Sequence, residues 1–123
     1  MPLYRIAIQE GSLSSEAKAG LASEITDLHC RLSGVDKAWV KIVFDEFSPG
    51  SGFVAGQPAA AVALTVLIRA GRSADYKRQM LQQLWAILQR ATGAEDSQIV
   101  AGIEETPASQ AMEMGLIMPE VGE

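Results

Sequence analysis

Five side chains in this sequence are of types that can do chemistry on a small acid. They are Pro2, His29, Arg69, Arg72 and Glu113. Initiator methionine is usually removed before a small second residue, and removal here would leave the proline nitrogen free. A secondary amine acts as a base when neutral and as an acid when protonated. A free α-amino group titrates near pH ~8, and burial or neighbouring cations lower that and enlarge the neutral fraction. Taken alone, a second-position proline is more often plain structure, because proline is tolerated as the first residue of a strand.

The run Arg69-Ala70-Gly71-Arg72-Ser73 joins an apolar stretch to a helical pattern. Two guanidinium groups beside the free N–H groups of a helix N-terminus make a carboxylate site from fixed donors, dipole and bidentate geometry. Cations at that end oppose the helix dipole, so their presence costs something unless an anion is bound. Solvated arginines at a strand end are the competing explanation. His29 is the only histidine. A lone helical histidine is more often structural, but it can hydrogen-bond a substrate carboxylate or carbonyl. Glu113 lies among Met112, Met114 and Leu116, where partial burial is expected to raise its pKa and suit it to proton transfer. An exposed acid on a short amphipathic turn is an equal reading. The sequence contains no metal-ligand set, phosphate loop or serine or cysteine triad.

The elements that must position these groups repeat. Leu3 to Ile8 reads as a strand. Ser14 offers an N-cap before a helix with apolar Ala17, Leu21, Ile25, Leu28 and Leu32, and Gly34 ends it. A strand-like run from Trp39 to Phe44 follows. Ser48 to Pro58 holds the glycines and prolines of a loop or hairpin arm. Ala59 to Ile68 is apolar at nearly every position, as expected of a central strand covered on both faces. Ser73 then caps a second helix with Tyr76, Met80, Leu84, Ile87 and Ala91 on its stripe and Gly93 at its end. Gln98 to Ile103 is the last strand.

Cap, stripe and terminator of the second helix are each displaced by 59 from those of the first. The expectation is an α/β (α+β) single domain over residues 1–123. It contains tandem β-α-β units at 2–47 and 59–105 and a C-terminal segment 106–123. Right-handed crossovers place both helices on one face of a four-stranded mixed sheet. By the offset of 59, Pro2 answers Ala61, while Arg69 and Arg72 answer Glu10 and Leu13. The two first strands run antiparallel, so Pro2 is brought to the arginines at one composite site per chain. The sheet's other face has no helix of its own chain to cover it, which predicts a homo-oligomer.

Composition narrows the partners. The net charge of −5, from ten basic and fifteen acidic residues, comes without runs of like charge. No surface-wide attraction to nucleic acid or anionic membrane is indicated. A single cysteine, Cys30, excludes an intrachain disulfide and fits a reducing compartment. No stretch approaches the roughly 18 apolar residues needed to span a bilayer, and no leader pattern opens the chain. A cytoplasmic, soluble protein is expected.

Four blocks, MPLY, ITDLHCRLSG, RAGRSAD and TPASQAMEMG, together resemble the cis-3-chloroacrylic acid dehalogenase group of the tautomerase superfamily, in that group's order and approximate spacing. The resemblance implies a trimer of fused β-α-β units without a cofactor. It also implies that Pro2 exchanges a proton with substrate carbon, that Arg69 and Arg72 hold and polarise a substrate carboxylate, that His29 assists binding, and that Glu113 positions or activates water. Gly102 stands where the dehalogenases have a tyrosine that helps activate water, and the chain lacks their longer tail. Function is therefore expected to be keto-enol tautomerisation of a small 2-oxo or enol carboxylate. A haloacrylate dehalogenase or hydratase and a non-catalytic oligomeric binding module are the alternatives.

Overall fold

The computed structural model describes residues 1–122. Its main sheet has the order β2-β1-β5-β6, from β1 (Leu3–Gln9), β2 (Lys41–Phe47), β5 (Val62–Arg69) and β6 (Ile99–Thr106). β1 pairs with β2 and β5 with β6 in parallel, while the central pair β1 and β5 is antiparallel. Each parallel pair is bridged by a helix, α1 (Ser15–Ser33) or α2 (Ala74–Thr92). Two-residue strands β3 (Phe53–Val54) and β4 (Gln57–Pro58) make one small hairpin, and β7 (Met112–Glu113) and β8 (Leu116–Ile117) another. No helix among the described residues is long and apolar enough to cross a membrane.

Both helices begin and end as their sequences dictate. Ser14 and Ser73 accept hydrogen bonds from the backbone N–H three residues on, and Gly34 and Gly93 close the helices in the left-handed region, where a side chain would be strained. Leu21, Ile25 and Leu28 of α1 and Met80, Leu84, Ile87 and Leu88 of α2 bury against the sheet. Ala17, assigned to the stripe, is exposed. The third element of the first unit starts later than expected, because Trp39 belongs to a 3-10 turn and the strand runs from Lys41.

The offset of 59 holds for the helices and, beyond the expected repeat limits, for the two hairpins, whose turns both use left-handed residues, Ala55-Gly56 and Met114-Gly115. It fails for the first strands. The buried positions are Pro2, Tyr4, Ile6 and Ile8 in and before β1, and Val62, Leu64, Val66 and Ile68 in β5. All are even-numbered, and side chains alternate faces along a strand, so the relating offset must be even. It is 60. The strand-to-helix turn is accordingly one residue shorter in the second unit, which corrects the sequence correspondence: Pro2 answers Val62 and Arg69 answers Gln9, while Arg72 still answers Leu13.

The apolar run around β5 therefore resolves into alternation. Val62, Leu64, Val66 and Ile68 lie under the helices, whereas Ala63, Thr65 and Leu67 remain half-buried on a face that no helix among the described residues covers. Beside them Arg5 and Asp45 form an exposed ion pair at 3.2 Å.

Candidate active site

The antiparallel register places Leu3 opposite Leu67, so the chain before Leu3 runs alongside Ile68 and Arg69. Met1 lines a small pocket with His29, Arg69, Arg72 and Tyr76. Met1 and Arg69 also line an adjoining cleft of about 340 Å³ whose wall includes Trp39 and the segment from Leu116 to Pro119. The ring of Pro2 is fully buried behind them. With Met1 attached, the proline nitrogen is an amide.

The arginines are held in different ways. Arg69 donates to the carbonyl of Pro119 at 2.6 Å, and the Arg72 guanidinium sits 5.0 Å from the centre of the Tyr76 ring, a cation-π arrangement that orients it while leaving donors free. Between them Gly71 has φ +120° and a Cβ there would meet the Val121 Cβ at 3.3 Å. A side chain at this position would be strained by its own backbone and would press on Val121, so glycine suits the close passage of the C-terminal segment over the turn.

His29 is buried in the end of α1, and its Nδ1 is 2.7 Å from the hydroxyl of Tyr4. Burial, then the charges of Arg72 and the terminal ammonium, lower its pKa to about 4. The ring is thus neutral at physiological pH, able to donate one hydrogen bond without charge. Burial raises the Tyr4 phenol, so it stays protonated.

Glu113, on β7, is the fifth group, and its surroundings overturn one expectation. Burial does push its carboxyl upward, but hydrogen bonds from Lys41 and the Met1 ammonium, together with their charges, bring the net shift below the ordinary value. The residue is a held carboxylate, not a poised acid. Lys41 opens β2, and its backbone N–H donates to the Pro2 carbonyl at 3.2 Å, so one residue braces both the proline and the glutamate. The structure thus brings the proline end of the chain, both arginines, the histidine and the glutamate into one neighbourhood.

Sequence reasoning missed Tyr4, Lys41 and Tyr76 as members of it. Tyr4 carried a usable signal, since it shares the parity of Pro2 and therefore its face of the strand. Among the described residues no group of three His, Cys, Asp or Glu side chains converges as a metal ligand set.

Tandem β-α-β units joined through a central antiparallel strand pair are the fold of the tautomerase superfamily. The chain belongs to that superfamily, since residues 1–123 match the family model Tautomerase_3, described as "Putative oxalocrotonate tautomerase enzyme". Among solved structures, native Ps01740 is 35% identical with a TM-score of 0.86, covering 90% of this chain and 99% of that one. N1, a member of the cis-3-chloroacrylic acid dehalogenase family, is 25% identical with a TM-score of 0.90 over 98% of this chain and 85% of its own. The wild-type Q0 fused 4-OT symmetric trimer is 22% identical and shares the fold, with a TM-score of 0.85 over 98% of this chain and 99% of that one. No curated protein matches.

Proposed function

We propose that the protein is a cofactor-independent keto-enol tautomerase of small 2-oxo or enol carboxylates, with Pro2 as its proton carrier once Met1 is removed. The observation that carries this reading is the convergence of the chain's start, two guanidinium groups and a neutral histidine on one pocket. Arg69 and Arg72 bind the substrate carboxylate, and the charge that develops on the 2-oxygen is stabilised by the same fixed donors together with His29. The neutral proline amine takes the enol hydroxyl proton, becomes an ammonium, and delivers that proton to the carbon next to the forming carbonyl, so no proton is gained or lost overall. Glu113, kept ionised, orients water or the ammonium beside Pro2.

The assembly we propose is a homo-oligomer, a trimer by analogy with fused 4-OT, in which copies cover one another's open sheet faces. Dehalogenation or hydration of cis-3-haloacrylates is the second reading, favoured by the likeness to N1 and opposed by Gly102, which has no hydroxyl to give. Retention of Met1 in the mature protein favours a binding module instead.

Phenylenolpyruvate ketonisation tests the leading reading. Arg72→Ala removes charge-assisted hydrogen bonds worth about 1.5–3 kcal/mol each, and kcat/KM is expected to fall by roughly 10- to 150-fold. Pro2→Ala is expected to abolish turnover above background. Full activity in both variants would refute the reading.

A further inference from the structure

The contact between Tyr4 and His29 is not needed by the chemistry above, yet it decides what the histidine can do. Tyr4 on β1 is completely buried. Its hydroxyl has one partner among the described residues, Nδ1 of His29 at 2.7 Å, with the rings edge to face at 89°. If Nδ1 carried the ring proton and the phenol accepted it, the phenolic hydrogen would be buried with nothing to bond, at a cost of about 1–3 kcal/mol. The satisfied arrangement has the phenol donating to a bare Nδ1, and a neutral imidazole must then carry its proton on Nε2. Among the described residues Nε2 has no hydrogen-bond partner, and among the same residues no buried side-chain nitrogen or oxygen is left without one. Nε2 is therefore not fully enclosed, and the space beside the ring is the small pocket that His29 lines with Arg69 and Arg72.

We propose that Tyr4 is a positioning residue of this site: its hydroxyl locks His29 as the Nε2–H tautomer and so presents the ring's single proton to an oxygen held between the two arginines. The opposite tautomer would present a lone pair to a carboxylate, which repels it. Because the ring is neutral at physiological pH, the proton's position rather than its presence is what must be controlled. The inference rests on the tautomerase reading only for what that proton meets.

The single histidine makes the test direct. Long-range 1H–15N correlation spectra of histidine-labelled protein at neutral pH are expected to show Nε2 protonated and Nδ1 bare. In Tyr4→Phe, which keeps ring volume, an Nδ1–H form is expected to appear. KM for phenylenolpyruvate is expected to rise by roughly 2- to 12-fold, the loss of one neutral hydrogen bond, while kcat changes less. Protonated Nδ1 in the wild type, or an unchanged spectrum in a folded Tyr4→Phe, would overturn the proposal. Should Tyr4→Phe fail to fold, the wild-type spectrum still decides where the proton sits. A wild-type enzyme without ketonisation activity would defeat the tautomerase reading alone, since the nitrogen shifts report on Tyr4 without substrate.

Discussion

The α-ammonium of Met1 is ion-paired with the carboxylate of Glu113 in a corner where the two side chains are only 11% and 10% exposed. Excising Met1 moves the terminal charge onto the proline nitrogen, one residue deeper along β1, and withdraws the thioether from both the pocket and the cleft. The mature protein is therefore expected to be lighter by one methionine residue in intact-mass measurement. It is also expected to be labelled at Pro2 by an amine-directed reagent, which an amide nitrogen at that position would not take up. Inserting a bulky residue after Met1, so that methionine is retained, should lower ketonisation by roughly 10²–10⁴-fold, the usual contribution of a general acid-base group.

Lys41 is the partner that remains to Glu113 after that excision. Lys41→Met keeps the apolar stem and removes the charge that helps hold the carboxyl below its usual value. Glu113 then gains a proton at higher pH, so the acidic limb of the pH profile of kcat/KM should move upward by measurable fractions of a unit or more. An unshifted limb would show that the ionisation of Glu113 does not govern activity.

Much of this was legible because helices announce themselves locally. Ser14 with Gly34 and Ser73 with Gly93 fix both ends of two helices within short windows, and the stripe between them tells which face is inward. The correspondence of Pro2 with Ala61 failed for a reason of the same kind. A strand's parity is set by its own buried face, and a single residue lost in the turn before Arg72 leaves the helix register intact while flipping the strand's. Glu113 was placed in the right neighbourhood with the wrong electrostatics, since its cations arrive from Lys41 and Met1, far away in sequence. Tyr4 stayed unmarked within the strand Leu3 to Ile8 because its role depends on a ring 25 positions on.

Gly102 separates the two enzymatic readings. It pairs with Thr65, on the face that the chain's own helices leave open, and a Cβ added there meets nothing within 4 Å. A side chain there starts out unobstructed by its own protomer and points away from that protomer's core, toward whatever copy covers that face. Gly102→Tyr should raise stability by roughly 0.5–1 kcal/mol through strand propensity and leave ketonisation largely intact. Chloride release from cis-3-chloroacrylate is expected in the variant and absent in the wild type. Release by the wild type would favour the dehalogenase reading.

His29 also makes a prediction about folding that needs no substrate. Its pKa is about 4 in the folded chain against 6.5 for an unperturbed histidine. Between those values the unfolded chain binds a proton that the folded one refuses, so stability falls as the pH is lowered through that window. The full difference corresponds to about 3 kcal/mol. Glu113, also depressed, loses its contribution from the ordinary carboxylate value downward, so its effect sets in only at the acid end of the histidine window. Urea unfolding at one protein concentration, fixed because assembly shifts apparent stability, should show midpoints declining from pH 6.5 toward 4. His29→Gln should flatten that decline, since the amide oxygen can accept from Tyr4 and does not titrate. A decline that survives the substitution would place the proton uptake elsewhere.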